Sequence, residues 1–177
     1  MKPLSAATLL RAALLCAPVA ALAALKAGDP APAFKTPAAV AGQAFDFDLS
    51  AALKKGPVVL YFFPKAFTKG CTVEANAFAE ATPQFAALGA TVVGISHDDI
   101  DTLKKFSTEE CRNKFAVASD PKALTIKAYD AGSLLPGMAS RISSVVGQDG
   151  QIAFTPEGSN PIQPVEQTLD AARRLKK

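Results

Sequence analysis

The chain has 177 residues, an ordinary share of charged side chains and no tryptophan, which suits one domain with a hydrophobic core. Its formal charge is +3, but Lys2 and Arg11 belong to an N-terminal stretch without acidic residues, and the remainder carries 17 basic against 16 acidic side chains, a net of +1. Since the remainder has no clear excess of Lys and Arg, nucleic-acid binding has no electrostatic support.

The first 23 residues have the pattern of a secretory signal peptide. Their positive charges lie before residue 12, residues 12–20 are almost wholly apolar, and Ala21-Leu22-Ala23 offers a small-x-small cleavage site. An uncleaved membrane anchor is the alternative, but the apolar run of about a dozen residues is short of the ~20 that span a bilayer. The sequence therefore predicts a cleaved leader, 1–23, and one domain, 24–177, that is periplasmic or secreted and not held in the membrane.

The first part of the mature chain predicts an extended segment, a half-exposed strand and a buried strand. Residues 27–37 are rich in Ala and Pro and are expected to lie extended over the domain. Residues 43–49 alternate apolar and acidic side chains, as a half-exposed strand does. Residues 58–63 are continuously apolar and partly β-branched, which indicates a strand buried on both faces that ends at Pro64.

A helix is predicted to begin at or very near Cys71. Its apolar side chains recur at steps of three and four and form one stripe, so the thiol of Cys71 should face the domain. Thr82-Pro83 places a capping residue before a proline suited to a first helical turn, and a kink or restart is expected there. Gly89 ends the helix. The stripe consists of Cys71, Ala75, Phe78, Ala81, Phe85 and Leu88.

The second half of the chain alternates strands and helices. Asp98 or Asp99 is expected to cap a helix, and the Asp149-Gly150 turn predicts a hairpin. This order predicts an α/β fold in which helices flank a central mixed sheet. The predicted elements are a strand at 91–95, a helix from 98 or 99 to 110, a strand at 115–119, a short helix at 120–129, a loop at 130–139, hairpin strands at 141–146 and 151–155, and a helix at 162–176.

Cys71 is the strongest candidate for a reactive residue. A thiol in the first turn of a helix lies among unpaired backbone N–H groups and at the positive end of the helix dipole, and both favour thiolate over thiol. The alternative is a buried structural cysteine, since free cysteine is among the most buried residue types. The helix start favours a nucleophile.

Pro64, Thr68 and Cys71 fit the pattern P-x-x-x-T-x-x-C. The chain resembles the peroxiredoxins in this pattern and in the sequence from Tyr61 to Glu74. The resemblance is strongest to the PrxQ branch, also called bacterioferritin comigratory proteins. The similarity extends over residues 27–175. It implies a thioredoxin-like fold and a thiol-dependent peroxidase that reduces hydrogen peroxide and organic hydroperoxides without a cofactor or metal.

The resemblance also implies roles for the residues of the motif. Cys71 would attack a peroxide oxygen and become a sulfenic acid, the Thr68 hydroxyl would hydrogen-bond the peroxide, and Pro64 would wall the pocket and limit water near the thiolate. The plainer alternatives are a loop threonine that bonds its own backbone and a proline that only ends a strand.

Arg141, at the start of a predicted strand, is the candidate cation of the site. In PrxQ-like proteins an arginine at this place reaches the peroxidatic cysteine and the peroxide, and a permanently charged planar donor suits both tasks. A surface arginine is the plain alternative, and Arg112 is the rival candidate. Glu74, in the first helical turn, is expected to favour the helix dipole or to bond within the loop, and a catalytic role is the weaker interpretation.

Cys111 is the candidate resolving cysteine. Many PrxQ proteins carry a resolving cysteine five residues after the nucleophile, but Asn76 stands there, and Cys16 is lost with the leader. Cys111 follows the predicted helix 98–110, where other PrxQ proteins carry theirs. A bridge would require the two Cα atoms to come within about 7 Å, so the helix would unwind at Cys71. The alternative is a spare thiol, with Cys71 resolved by an outside thiol.

The expected partners are a hydroperoxide and a thioredoxin-like or other dithiol reductant, and the protein is expected to be a monomer or a weak dimer. The lone His97 lacks companions at ligand spacing, so no metal site is predicted. One alternative function is an exported thioredoxin-like thiol–disulfide oxidoreductase, although residues 71–74 lack the second cysteine of C-x-x-C. Another is a non-enzymatic binding domain with a structural Cys71–Cys111 disulfide.

Overall fold

Apolar strands and amphipathic helices alternate along the chain and assemble into a mixed β-sheet with helices packed on it. The computed structural model describes residues 24–156, 160 and 162–176, and the predicted signal peptide lies outside them. The strands are β1 (Lys35–Val40), β2 (Gln43–Asp48), β3 (Val58–Phe62), β4 (Thr91–Ser96), β5 (Ala116–Ser119), β6 (Ile142–Val146) and β7 (Ile152–Phe154). The helices are α1 (Leu49–Leu53), α2 (Lys69–Ala87), α3 (Ile100–Glu109), α4 (Leu124–Ala128) and α5 (Gln163–Leu175).

Strand β3 lies near the middle of the sheet, whose order is β2-β1-β5-β4-β3-β6-β7. It runs parallel to β4 on one side and antiparallel to β6 on the other, and β4 in turn runs parallel to β5. The carboxyl ends of β3, β4 and β5 therefore meet at one edge of the sheet, where the loop to α2 begins. The predicted α/β fold with a central mixed sheet is confirmed.

The core has two parts because side chains of β3 alternate between the faces of the sheet. Val59 and Tyr61 point into a cluster with α2, α3 and α5. Leu60 and Phe62 point into a second cluster with α1, α4 and the loop that follows α4. All residues of β3 are buried, as its continuous apolar run predicts. Both free cysteines of the described chain lie in the first cluster.

Two elements were not predicted from the sequence. The prediction for residues 27–37 was an extended segment only, whereas Lys35 begins β1, which pairs with both β2 and β5. Residues Leu49–Leu53 form the short helix α1, whose N-terminus is capped by the Asp48 carboxylate. Neither stretch has a clear periodicity of its own, and the tertiary pairing supplies the structure.

The helix does not restart at Thr82-Pro83, since α2 continues through Pro83. The Thr82 hydroxyl donates to the Phe78 carbonyl at 2.8 Å, within the helix. Phe78 and Phe85 are buried in the same cluster, with ring centroids 6.2 Å apart. Packing of both halves against one core outweighs the hydrogen bond that proline cannot donate.

The remaining boundaries differ from the predictions by a few residues. Asp99, and not Asp98, caps α3, with its carboxylate accepting the Thr102 amide at 2.8 Å. Helix α4 begins only at Leu124, and the Asp120 carboxylate accepts the amides of Leu124 and Ile126 in its first turn. None of the described helices combines the length and apolarity needed to span a membrane.

Candidate active site

The site is built where β3 ends and α2 begins. Thr68 is the N-cap of α2, with extended backbone angles, and Cys71 is the third helical residue. The Thr72 amide donates to the Thr68 carbonyl at 2.9 Å, so the amides before it, including that of Cys71, precede the first hydrogen bond of the helix. Cys71 thus lies among unpaired N–H donors, where the sequence predicts it.

The side chain of Cys71 faces the domain, as the apolar stripe predicts. Its residue is only 1% exposed and belongs to the core cluster beneath α2. A thiol so placed is screened from bulk water.

Arg141 is the cation that the fold brings to this sulfur. It precedes β6, the antiparallel neighbour of β3, and one guanidinium nitrogen, Nη2, lies 3.7 Å from Cys71 Sγ. The other terminal nitrogen, Nη1, donates to the Gly70 carbonyl at 3.4 Å. A Cβ at Gly70 would stand 2.9 Å from Nη2, so a larger residue there would displace the guanidinium.

Glu74 holds the guanidinium from the opposite side. It is completely buried, and its Oε2 forms an ion pair with Arg141 Nη1. Burial raises the pKa of Glu74 to about 7, and the charge of Arg141 opposes that rise. Burial alone would lower the pKa of Arg141. The charges of Glu74 and then Cys71 outweigh this effect, and the pKa of Arg141 is raised overall. The arginine therefore stays charged beside the sulfur.

The predicted position of Glu74 in the first helical turn is wrong, since Glu74 lies beyond that turn. Its carboxylate pairs with Arg141. A glutamate is normally solvent-exposed, so composition argues against a buried one. Its spacing of three from Cys71 puts both side chains on one face of the helix. That spacing is the feature that could have revealed it.

Thr68 and Pro64 line the loop before the helix without bonding to the sulfur. The Thr68 hydroxyl donates to the Lys65 carbonyl at 3.0 Å. Between them Phe67 adopts a left-handed backbone, with φ of 62°. The Pro64 carbonyl lies 3.2 Å from His97 Nδ1. The structure thus places both motif residues in the tightly turned loop that leads into α2.

Arg112, the rival cation, is not part of the site. Its Nη1 lies 3.1 Å from Glu80 Oε1, and both side chains are at least half exposed. This surface pair joins the segment after α3 to the middle of α2 and leaves Arg141 as the arginine at Cys71.

Cys111 is a free, completely buried thiol just beyond α3. It shares the core cluster of Cys71. Burial and then the charge of Glu110 raise the pKa of Cys111, an effect partly offset by the nearby hydroxyl of Tyr61. The Tyr61 hydroxyl is itself buried and has no hydrogen bond of normal geometry with any described group. Cys111 is thus held as a neutral thiol in the folded protein.

Asn76, at the position where a resolving cysteine was sought, joins the two cysteine-bearing segments. Its side-chain amide donates to the Thr72 carbonyl at 2.8 Å and to Glu110 Oε2 at 3.1 Å. The first contact supports the opening turns of α2, and the second reaches the residue before Cys111. We call this pair of contacts the Asn76 bridge.

Within the described part of the chain, no group of three or more His, Cys, Asp and Glu side chains is arranged to hold a metal ion. His97 instead contacts the loop of the site through the Pro64 carbonyl. The groups that the described structure brings to Cys71 are the guanidinium of Arg141 and the backbone amides at the start of α2.

Cys71 is a buried cysteine at the start of a helix, and an arginine contacts its sulfur. Such a site on a thioredoxin-like sheet is typical of thiol-based oxidoreductases. The sequence matches the AhpC/TSA family over residues 27–155. It is 33% identical to peroxiredoxin Bcp of Escherichia coli K12 over 135 residues, which cover 72% of this chain and 83% of that protein. It is also 33% identical to the chloroplastic peroxiredoxin Q of Sedum lineare over 127 residues, covering 70% and 67% of the two chains.

Solved structures give the same result. The crystal structure of peroxidoxin BcpB from Mycobacterium tuberculosis superposes with a TM-score of 0.78 at 28% identity, covering 86% of this chain and 99% of that one. The AhpC structure of the same organism, at 22% identity and a TM-score of 0.76, supports the fold, with 88% and 95% of the chains covered. The chain belongs to the AhpC/TSA family, and its resemblance to the peroxiredoxins is confirmed.

Proposed function

We propose that this peroxiredoxin, a thiol-dependent peroxidase, reduces hydrogen peroxide and organic hydroperoxides through Cys71. The observation that carries the assignment is the contact between Arg141 Nη2 and Cys71 Sγ at the start of α2. A guanidinium and unpaired helical amides around one sulfur stabilise a thiolate. The same donors can bind the oxygens of a peroxide that approaches this sulfur.

In the first step the Cys71 thiolate attacks the nearer peroxide oxygen in line with the O–O bond. An S–O bond forms, the O–O bond breaks, and its electron pair leaves on the far oxygen, which takes a proton and departs as water or alcohol. Cys71 becomes a sulfenic acid. Arg141 stabilises the charge that moves from sulfur to oxygen, which is the main electrostatic requirement of the step.

Thr68 and Pro64 support this step from the loop. The Thr68 hydroxyl donates to the Lys65 carbonyl, and we infer that it turns toward the peroxide when one is bound. Pro64 offers no N–H and walls the loop side of the site. These two roles rest on the family motif and on the position of the loop next to Cys71.

In the second step Cys111 resolves the sulfenic acid. The Cys111 sulfur attacks the sulfur of Cys71, an S–S bond forms, and water leaves with the sulfenic oxygen. Both thiols are buried in one core cluster, and the helix must unwind at Cys71 for the two Cα atoms to reach disulfide distance. A thioredoxin-like or other dithiol then reduces the bridge by thiol–disulfide exchange.

The pattern of the first 23 residues supports a location of the enzyme outside the cytoplasm. Residues 1–23 fit a cleaved signal peptide, and a periplasmic or secreted enzyme would take its electrons from a dithiol in that compartment. A monomer or weak dimer fits this scheme, because both cysteines come from one chain.

The assignment is tested by intact mass after one equivalent of hydrogen peroxide is added to the reduced mature protein. Wild type should lose two hydrogens to an internal disulfide. Cys111→Ser should gain one oxygen that a sulfenic-acid reagent traps, and Cys71→Ser should not change. Oxygen on wild-type Cys71 without a disulfide would remove Cys111 from the scheme, and an unreactive Cys71 would overturn the proposal.

A further inference from the structure

We propose that Asp98 is a positioning residue for the peroxidase reaction and acts by fixing the loop of residues 64–68 that leads to Cys71. The inference rests on the proposed function of Cys71. Asp98 stands in the turn between β4 and α3, and it makes no described hydrogen bond to Cys71 or Arg141. Any effect of Asp98 on the chemistry must therefore pass through the loop.

The central contact joins Asp98 to the middle of the loop. Asp98 Oδ2 accepts the backbone N–H of Ala66 at 2.8 Å. Ala66 lies two residues after Pro64 and two before Thr68, and it is buried. A hydrogen bond from a backbone amide to a carboxylate is stronger than one between neutral groups. The loop is thus held at its midpoint by a charge-assisted bond.

The carboxylate is itself held in a fixed orientation. The Ser96 hydroxyl donates to the same Oδ2 at 2.8 Å and accepts the Asp98 amide at 3.3 Å. The Ser119 hydroxyl donates to the Asp98 carbonyl at 2.7 Å, from the end of β5. These contacts join the turn to the ends of two strands of the sheet, which fixes the position of the carboxylate.

His97 gives the loop a second point of attachment. Its Nδ1 lies 3.2 Å from the Pro64 carbonyl. Since a carbonyl can only accept, Nδ1 carries the proton in this contact. Adjacent residues of one turn thus bind the first residue and the midpoint of the loop.

The loop needs such support because its backbone is unfavourable. Phe67 has a φ of 62°, in the left-handed region that a bulky side chain rarely adopts. Strained backbone persists only where the surroundings over-determine it. Thr68, the next residue, occupies the N-cap position of α2 and carries the hydroxyl proposed to meet the peroxide. Release of Ala66 would therefore let both the cap and this hydroxyl drift from Cys71.

The test compares Asp98→Ala with its conservative and neighbouring variants. We expect Asp98→Ala to lower the second-order rate constant of Cys71 oxidation by hydrogen peroxide by about tenfold or more, since small misplacements of reacting groups cost that much. Asp98→Asn, which keeps an oxygen acceptor, should recover most of the rate. Asp99→Ala is the matched control, because it removes the cap of α3 without touching the loop.

The outcomes separate this inference from the proposed function. A wild-type thiol that reacts with peroxide no faster than an ordinary one would remove the proposed function. A fast wild type with an equally fast Asp98→Ala would overturn only the positioning role, as would equal losses in Asp98→Ala and Asp99→Ala. If Asp98→Ala does not fold, amide hydrogen exchange of the wild type decides: strong protection of the Ala66 amide is expected, and rapid exchange there would contradict the anchor.

Discussion

At the level of single residues, the site depends on one guanidinium with three partners. Arg141 contacts the Cys71 sulfur, the Gly70 carbonyl and the buried carboxylate of Glu74. The carboxylate fixes the direction of the guanidinium and compensates part of its charge. The planar fork of arginine serves such divergent contacts, which a lysine ammonium on a flexible stem cannot reproduce.

Arg141→Lys should therefore lower the rate of Cys71 oxidation by peroxide by about tenfold to a hundredfold, since charge is kept but the fork is lost. The measurement is competition kinetics against a reference peroxidase, which does not require tryptophan fluorescence. Arg112→Lys, at the exposed pair with Glu80, is the control and should react like wild type. Equal rates for Arg141→Lys and wild type would show that only the charge matters.

The raised pKa of Glu74 leads us to expect that the stability of the protein depends on pH. Burial raises the pKa of Glu74 from the ordinary value of 4.5 to about 7, so the folded state binds its proton more tightly than the unfolded state. Its contribution is fully present below pH 4.5 and is lost as the pH rises through about 7. The free energy of unfolding of wild type should therefore fall relative to that of Glu74→Gln over this window, by about 3 kcal/mol.

The measurement is urea denaturation of both proteins at several pH values between 4 and 8.5. Glu80→Gln, an exposed carboxylate on the same helix, should follow wild type throughout. A wild-type advantage over Glu74→Gln that grows as the pH rises would contradict the assigned direction, and would mean that Arg141 dominates over burial.

At the level of elements, α2 has to be both a rigid frame and a segment that opens. Its first turns hold Cys71 for attack on peroxide, but a Cys71–Cys111 bridge requires the same turns to unwind. The Asn76 bridge stabilises the closed arrangement, because it binds the Thr72 carbonyl and reaches Glu110 beside Cys111. The residue that stands at the usual resolving position thus favours the state in which peroxide reacts.

Asn76→Ala should speed formation of the disulfide after the sulfenic acid has formed, by a few-fold if one such contact is worth about 1 kcal/mol. The rate of the first step should change little, since Asn76 does not contact Cys71 Sγ. Rapid quenching followed by intact mass separates the two steps. Glu80→Gln, which breaks the neighbouring exposed pair of α2 with Arg112, serves as the control. Slower disulfide formation in Asn76→Ala would show that the bridge promotes resolution.

Local sequence patterns were sufficient for the features that depend on near neighbours. The helix start, the burial of Cys71 and the two-faced burial of β3 all follow from periodicity and capping. The patterns failed where distant groups decide. Pro83 stays helical because Phe78 and Phe85 pack on one core, and Glu74 is buried because Arg141 arrives from β6. Asp98 and Asp99 are equivalent caps in the sequence, and only the fold assigns one to the loop.

At the level of the whole molecule, the sheet brings together four segments that are far apart in the chain. The loop after β3 carries the motif, the turn after β4 holds that loop, the segment after α3 carries Cys111, and the start of β6 delivers Arg141. The sheet order places β4 and β6 on either side of β3. The sheet thus brings the reactive cysteine, its arginine and the support of the loop together from distant parts of the chain.

The central claim is that this arrangement makes Cys71 a peroxide-selective nucleophile. The most direct measurement compares the second-order rate constants of Cys71 with hydrogen peroxide and with iodoacetamide, in Cys111→Ser, against those of free cysteine. The account predicts a peroxide rate constant higher than that of free cysteine by several orders of magnitude, with no comparable gain toward iodoacetamide, because stabilisation of the leaving oxygen assists only the peroxide. Equal gains toward both reagents, or none toward peroxide, would contradict it.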